Sequence, residues 1–499
     1  MNRTPGSNCF GIISHLHITI WWYIIITREV VGTVNIKLEQ YKKDIGSKRV
    51  AVLGIGISNT PLIKYLAAAG TKITAFDRME ADELGPAQEA LKGLDVQLSL
   101  GKDYLEQLKG FDVIFKTPKV RFDIPELLAE KARGAVVTSE MEVFCELCPA
   151  RIFAVTGSDG KTTTTTLIHK MLSGQGHSCW LGGNIGTPLL DRLDEIRATD
   201  MVVLELSSFQ LHTMKNRLHT AVVTNMSPNH LDVHTSMEEY IDAKKNIFRY
   251  QDPGDTLILN YDNDITRGFA DEARGRVVFF SRTQRLREGM VLEDGMLVYK
   301  KDDARLPVTS CESILLPGDH NIENYMAAAA AVIDYVNPGA VEKVASSFRG
   351  VEHRAEYVRE IGGISFYNDS IGSSPTRTIA SVRAFKKKVI LIAGGYDKHI
   401  PYDEMGETLA ERVKTLVLVG QTAPLIEKSL KDEVAKTGRG AGVPVIQCST
   451  LEEAVSSAFR SAEEGDIVIL SPASASFDMF KNFEERGNAY KNIVNGLKV

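Results

Sequence analysis

The sequence predicts an α/β protein of three domains: a Rossmann-like N-terminal domain, a central P-loop ATPase-type parallel sheet, and a Rossmann-like C-terminal domain. Three observations carry that prediction. From residue 48 onward, apolar runs of strand length alternate with helix-length segments, as parallel sheets require. Glycine-bearing turns follow the first strand of the first block and the first strand of the second, where such sheets hold phosphates. The chain has 499 residues, and length alone suggests roughly three domains of about 150 residues each.

In the first block, KRVAVLG (48–54) is a buried strand, TPLIKYLAAAG (60–70) a helix closed by Gly70, and TKITAF (71–76) the next strand. The second block has strands at RIFAV (151–155), MVVLE (201–205) and TAVVTN (220–225). The third repeats the pattern at GISFYND (363–369), KVILIAGG (388–395), TLVLVG (415–420), PVIQC (444–448) and DIVILS (466–471). The domains are placed at 34–140, 141–350 and 351–499.

Ahead of them, CFGIISHLHITIWWYIIIT (9–27) contains no Asp, Glu, Lys or Arg and is long enough to span a bilayer. Its flanks argue against an anchor: only Arg3 precedes it, and no small-residue cleavage site follows. Polar, amphipathic sequence begins abruptly at Val34, and valine is how a GTG start codon reads when translation is taken from upstream. Residues 1–33 are therefore expected to be a non-native or unstructured leader, without stable membrane insertion.

Composition narrows the function classes. The chain is 43% hydrophobic and 24% charged with a net charge of −6, so it has no general attraction for nucleic acid and any phosphate binding must be local. Six cysteines among 499 residues make no disulfide framework and fit a reducing cytoplasm. Cys145-x-x-Cys148 lacks a second pair to complete a zinc site.

Gly54, Gly56, Ser58 and Asn59 follow the first strand, and Asp77-Arg78 closes the second. That is the layout of a dinucleotide site, with Asn59 where a third small residue is usual. A plain structural turn explains the glycines equally well. In AVTGSDGKTTTTTL (154–167) the first glycine, Gly157, stands only three residues before Gly160, closer than in G-x-x-x-x-G-K-[ST]. The parts that carry chemistry remain: Gly157, Ser158, Asp159, Gly160, Lys161, Thr162 and Thr163, after a strand and before a helix. Lys161 would reach terminal phosphates and Thr162 would ligate Mg²⁺.

Glu205 closes a neighbouring strand, a position suited to a further Mg²⁺ ligand; a solvated strand-end acid is the plainer alternative. His230, in NMSPNHLDVH (225–234), also falls at a strand end, although a loop histidine would look the same. Helix 236–249 begins with a Ser236/Glu239 capping box. Lys244 lies on its apolar face with Tyr240, Ile241, Ile247 and Phe248. Spacing alone favours a lysine laying its stem over the core; a buried amine open to modification is the sharper reading.

Together these motifs resemble the Mur ligases, ATP-dependent amide-forming enzymes of peptidoglycan precursor synthesis. The resemblance covers about residues 35–499 and includes TGSDGKTTT, GGNIGTP (182–188), ELSSFQL (205–211), NHLD (229–232), GDHNIEN (318–324) and His353-Arg354. With SPASASFDMFKNFEERG (471–487), it is strongest to the branch that adds D-glutamate to UDP-N-acetylmuramoyl-L-alanine. It implies that the 156–162 loop is an ATP loop of variant spacing.

Residue by residue, the resemblance implies further roles. Gly54 to Asn59, Asp77 and Arg78 would hold the UDP moiety, and Asn184 and Ser207 the sugar-linked part. Asn324, Arg354 and Asp369 would frame the adenine and ribose of ATP. Glu205, His230 and a carbamate on Lys244 would bind Mg²⁺ with Thr162. Lys161, Lys244 and His230 would be catalytic, and Lys398, Ser476 and Phe483 would line the D-glutamate pocket. A cytoplasmic monomer handling only small molecules is expected.

Two departures from the family pattern stand out. Ile371 replaces a lysine common after Asp369-Ser370, and TPKVRFDIP (117–125) lacks the glycine that commonly follows its proline. Competing readings are a sister ligase or folylpolyglutamate synthase-like enzyme, an NAD-dependent dehydrogenase, and a nucleotide-sensing scaffold. The dehydrogenase leaves Lys161, Glu205 and Lys244 idle, and the scaffold needs no amino-acid pocket.

Overall fold

A computed structural model describes residues 35–56, 59–228 and 234–498. The expected leader 1–33, Ser58 and His230 lie outside the described residues. The chain divides into two compact units. One falls within residues 1–154, 178–220 and 230–255, the other within 155–177, 221–229 and 256–499.

In the first unit, β1 (Arg49–Leu53), β2 (Lys72–Asp77), β3 (Val96–Leu100), β4 (Val113–Lys116) and β5 (Val136–Thr138) form a five-stranded sheet. Its order is β3-β2-β1-β4-β5 and every pair is parallel. This is the doubly wound order, which reverses direction between β1 and β4 and opens a crevice at the carboxyl ends of those two strands. Helix α1 (Asn59–Ala68) follows β1 and buries Leu62, Ile63 and Leu66.

The middle sheet has nine strands: β6 (Arg151–Thr156), β7 (Cys179–Gly183), β8 (Met201–Glu205), β9 (Thr220–Val223), β10 (Thr256–Asn260), β11 (Arg276–Ser281), β12 (Gly289–Glu293), β13 (Met296–Lys301) and β14 (Ala304–Ser310). Their order is β14-β13-β12-β11-β10-β9-β6-β8-β7. Three helices present candidate site residues: α2 (Lys161–Gln175), α3 (Met237–Arg249) and α4 (Asp319–Val332).

The last sheet comprises β15 (Glu356–Ile361), β16 (Ile364–Asn368), β17 (Val389–Ala393), β18 (Val413–Val419), β19 (Val445–Cys448) and β20 (Ile467–Leu470), in the order β15-β16-β20-β17-β18-β19. Successive residues of β17 feed opposite cores. Leu391 packs with Leu416 and Leu418 on one face, while Ile390 and Ile392 pack with Val417 on the other. Burial on both faces is why these strands read as unbroken apolar runs. Helix α5 (Phe483–Gly496) covers the second face with Tyr490 and Val494.

Two stretches break the expected strand–helix alternation. Strands β12, β13 and β14 pair antiparallel, as do β15 and β16. The β12–β13 and β15–β16 hairpins each close through two residues at positive φ: Asp294 (48°) with Gly295 (76°), and Gly362 (58°) with Gly363 (75°). Asp-Gly and Gly-Gly are the dipeptides that tight hairpins favour, because both central residues must be left-handed. Among the described residues, no helix is long and apolar enough to cross a membrane.

Helix α3 starts where expected, with the Ser236 hydroxyl accepting from the Glu239 N–H. The reciprocal half of the expected capping box is replaced. The Glu239 carboxylate accepts instead from the Thr235 N–H and hydroxyl and from Arg121.

Candidate active site

The loop between β6 and α2 is shaped by two glycines that nothing larger could replace. Gly157 (φ 147°) and Gly160 (φ 78°) both have positive φ. A Cβ at Gly157 would meet Thr224 Oγ1 at 1.9 Å, and one at Gly160 would meet Asn324 Oδ1 at 2.2 Å. Thr224, Asn225 and Ser227 then stitch the loop down. The Ser158 N–H donates to the Asn225 carbonyl (3.0 Å), the Asp159 N–H to Asn225 Oδ1 (3.0 Å) and the Thr224 hydroxyl to the Asp159 carbonyl (2.6 Å). The Ser158 hydroxyl donates to the Ser227 carbonyl (2.9 Å).

Lys161 Nζ lies back over this loop, donating to the carbonyls of Gly157 (3.0 Å) and Ser158 (2.8 Å). Helix α2 is 15 residues long and no side chain caps its start, so its first N–H groups and its dipole are directed at an incoming anion. Thr162 and Thr163 stand in its first turn. From α4, Asn324 accepts the Thr164 hydroxyl (3.2 Å) and donates to Asn321 (3.1 Å). The structure thus brings Asn324 to the phosphate loop itself.

In the other unit, Glu205 ends β8 with 1% exposure. Its Oε1 accepts from Asn184 Nδ2 (2.8 Å), whose own N–H donates to the Glu205 carbonyl (2.8 Å). Oε2 is buried and has no hydrogen-bond partner among the described residues. A buried carboxylate oxygen left unmatched is costly, and a hard cation with oxygen ligands satisfies it, so this position fits Mg²⁺. The Ser207 hydroxyl caps the short helix Ser208–Leu211 in a full capping box with Gln210, which fixes the position of its side chain. The S-x-x-Q spacing was the signal for that. Lys244, on α3, is also 1% exposed, with Nζ 4.8 Å from the centre of the Tyr240 ring.

Around the first turn, Gly54 has φ 90° and lies against the loop after β4; a Cβ there would sit 2.8 Å from Thr117 Cγ2. The Asp77 carboxylate accepts from the N–H groups of Ile55 (2.6 Å) and Met79 (3.0 Å). Asn59 donates to the carbonyls of Leu53 (3.1 Å) and Gly54 (2.9 Å), which explains an amide where a small residue is usual. Gly56 and Arg78 are exposed beside them.

In the C-terminal sheet, Asp369 follows β16 and is buried, and burial pushes its carboxyl pKa upward. It accepts from the Ala355 N–H (3.1 Å) and the Ser471 hydroxyl (2.7 Å). His353 (φ 63°) and Ala355 (φ 42°) flank an exposed Arg354 in a strained turn. Ile371 is half-buried and its N–H donates to the His353 carbonyl (3.1 Å), so it ties the same turn.

The Ser370 hydroxyl donates to the Phe483 carbonyl (2.8 Å), and the Phe483 ring meets His353 edge-on at 5.9 Å. Ser476 is buried, whereas Lys398 is exposed on a loop that pairs through Tyr396 with Ala475 (N–O 3.0 Å). Sequence reasoning missed Arg486. It is buried and donates to the Ser370 hydroxyl and carbonyl and to the carbonyls of Ser474 and Ala475. Its burial lowers the guanidinium pKa to about 10. Cys145 and Cys148 are free thiols raised by burial, as expected of a structural pair.

Comparison with known proteins adds independent findings. Residues 155–332 match the Mur ligase middle domain, and residues 353–474 match the Mur ligase glutamate ligase domain. The UDP-N-acetylmuramoylalanine–D-glutamate ligase of Acetivibrio thermocellus is 62% identical, over 93% of this chain and 100% of that enzyme. The enzymes of the same name from Ruminiclostridium cellulolyticum and Clostridium novyi are 58% and 51% identical, over 93% and 92% of this chain and 100% and 99% of theirs. Among solved structures, UDP-N-acetylmuramate-alanine ligase from Thermotoga maritima superposes with a TM-score of 0.55 at 18% identity. It covers 90% of this chain and 100% of that one, and is a likeness of fold.

Proposed function

Because the chain belongs to the Mur ligase family, we propose that it is the ligase that joins D-glutamate to UDP-N-acetylmuramoyl-L-alanine, with ATP cleaved to ADP and phosphate. The observation that carries this reading is the match to relatives of that name over 99–100% of their length. The phosphate loop supports the ATP half of the reaction.

The alanyl carboxylate attacks the γ-phosphorus, forming an acyl phosphate and releasing ADP. The D-glutamate amine then attacks the acyl carbon, phosphate leaves, the ammonium proton is lost and an amide remains. Lys161 and the first N–H groups of α2 bind the terminal phosphates and offset charge on the transferring group. Arg354 and Asp369 frame the nucleoside end of ATP, and Asn324 lies beside the phosphate loop. Gly54, Gly56, Ser58, Asn59, Asp77 and Arg78 hold UDP, with Asn184 and Ser207 toward the sugar.

Glu205 Oε2, Thr162, His230 and a Lys244 carbamate would hold Mg²⁺, which supplies charge neutralisation at the phosphoryl oxygens when bound. The Lys244 ammonium would first lose a proton, and the neutral Nζ would then join CO₂ with loss of a second, turning a cation into an anionic ligand. Lys398 pairs with a D-glutamate carboxylate, and Ser476 and Phe483 complete that pocket. Domains at 34–140, 141–350 and 351–499, a monomeric state and a cytoplasmic location complete the reading.

The test is phosphate release from ATP and Mg²⁺ with UDP-N-acetylmuramoyl-L-alanine across a panel of amino acids. Release is expected with D-glutamate alone; release with another amino acid would move the chain to a sister activity.

A further inference from the structure

Arg486 stands near the start of α5 and is 3% exposed. Its guanidinium donates to four acceptors on two separate segments: Nε to the Ser370 hydroxyl (3.0 Å), Nη2 to the Ser370 carbonyl (2.8 Å), and Nη1 to the carbonyls of Ser474 (3.1 Å) and Ala475 (2.9 Å). Among the described residues no carboxylate is within ion-pair distance of it; Asp478 and Asp369 act on its charge from farther away. A buried cation without an ion pair is a poor device for stability alone. What a guanidinium supplies, and a lysine or an apolar side chain cannot, is a planar fork of donors at fixed angles.

Both segments lead to the pocket assigned to D-glutamate. Ser476 follows Ala475 directly. The Ala475 carbonyl also accepts from the Tyr396 N–H (3.0 Å), the bridge that places the loop bearing Lys398. The Ser370 hydroxyl, held by Arg486 Nε, donates to the Phe483 carbonyl (2.8 Å). The fit is tight: a Cβ at Gly395, just after β17, would lie 2.2 Å from the Ala475 carbonyl oxygen and 3.1 Å from Arg486 Nη1. Ala473, at the start of the serine loop, has φ 57°, a conformation that costs an L-residue energy and persists only where its surroundings fix it. The Asp369 end of the neighbouring turn is anchored separately. Its carboxylate takes the Ala355 N–H and the Ser471 hydroxyl, and neither contact involves Arg486.

We propose that Arg486 is a positioning residue of the ligase: without touching substrate, its guanidinium holds Ser476, Phe483 and the Lys398 loop at the spacing that the two carboxylates of D-glutamate require. The inference rests on the function proposed above and extends it, since Arg486 belongs to none of the pockets assigned there. The nucleoside end of ATP should be insensitive to it, because Asp369 has its own anchors.

Steady-state kinetics and hydrogen exchange of the full chain, as wild type, Arg486→Lys and Ser370→Ala, test it. Arg486→Lys keeps the charge but cannot reach both segments. It is expected to raise the KM for D-glutamate about tenfold or more, the range for a lost charged hydrogen bond. Its KM for ATP and its dissociation constant for UDP-N-acetylmuramoyl-L-alanine should stay within about twofold of wild type. Ser370→Ala removes only the hydroxyl between Arg486 and Phe483, and should raise the KM for D-glutamate several-fold. The two changes together should cost less than the product of their separate effects, as for residues in one hydrogen-bond network. Amide exchange should quicken at 474–476 and 396–398 and stay unchanged in β17 and β20.

An unchanged KM for D-glutamate in both variants would overturn the proposal. So would a KM for ATP that rises in the same proportion, the signature of an arginine that only stabilises its surroundings. If Arg486→Lys does not fold, Ser370→Ala decides by the same criteria. Should the wild type release phosphate with another amino acid instead, the proposed function falls, and the same kinetics with that amino acid decide the role of Arg486. Should it release none, exchange decides: selective quickening at 474–476 and 396–398 retains the positioning role, and unchanged exchange there removes it.

Discussion

Two buried carboxylates show how differently one side-chain type can be used. Glu205 keeps one oxygen on Asn184 and leaves the other without a partner among the described residues. If that oxygen belongs to Mg²⁺, Glu205→Gln should raise the Mg²⁺ concentration needed for half-maximal turnover at least tenfold, with no loss of melting temperature; an unchanged Mg²⁺ titration would remove it from the cation site. Glu140 is buried too, and desolvation raises its pKa from 4.5 to about 7. Between those values the folded chain holds a proton that the unfolded chain has released. The contribution of Glu140 to stability is therefore fullest below pH 4.5, falls as pH rises toward 7, and is flat above, a loss of about 3 kcal/mol. Glu140→Gln should flatten the melting temperature between about pH 5 and 7, and an identical slope in the variant would refute the assignment. Lys244 was legible because helix spacing put it on an apolar face. Arg486 was not, since its partners are carbonyls and a hydroxyl up to 116 residues away and no local pattern announces them.

At the level of elements, the phosphate loop and its helix make opposite predictions for the same substitution. Gly160→Ala must force an L-residue to φ 78° with its Cβ against Asn324. It should cost about 1–3 kcal/mol and most of the ATP turnover. Gly174, near the other end of α2, has helical backbone and open space for 4 Å around the point where a Cβ would project. Gly174→Ala should therefore stabilise by about 0.5–1 kcal/mol in denaturant unfolding. Equal effects at the two sites would show that the loop geometry is not the constraint. Parallel strands were legible because burial on both faces makes them apolar throughout. The hairpins at Asp294-Gly295 and Gly362-Gly363 were not, although their dipeptides were in view, because short strands around a turn look like more alternation. The cap of α3 was legible at Ser236, but Glu239 answers to Arg121, a partner 118 residues away.

For the whole molecule, the residues proposed to be decisive for each ligand stand around different sheets: Gly54 and Asp77 around the first for the UDP substrate, Lys161 and Asn324 around the second for ATP, and Lys398 and Ser476 around the third for D-glutamate, while Asn184 and Ser207 would add the second sheet to the UDP substrate and Arg354 and Asp369 the third to ATP. Their chemistry was legible as motifs at strand ends, but their separation in the chain carries a consequence of its own. Contributions from side chains with no shared partner add independently, so single losses should separate by ligand. Lys161→Ala should abolish phosphate release while the dissociation constant of UDP-N-acetylmuramoyl-L-alanine stays within about twofold of wild type. Lys398→Ala should raise the KM for D-glutamate tenfold or more, as expected for a lost charge-assisted pair, and leave UDP-substrate binding unchanged. Steady-state kinetics paired with direct titration separates these effects. Should Lys398→Ala weaken UDP-substrate binding as much as D-glutamate binding, the third sheet would not hold the amino acid on its own, and the exposed lysine would need a role in ordering the enzyme before either substrate arrives.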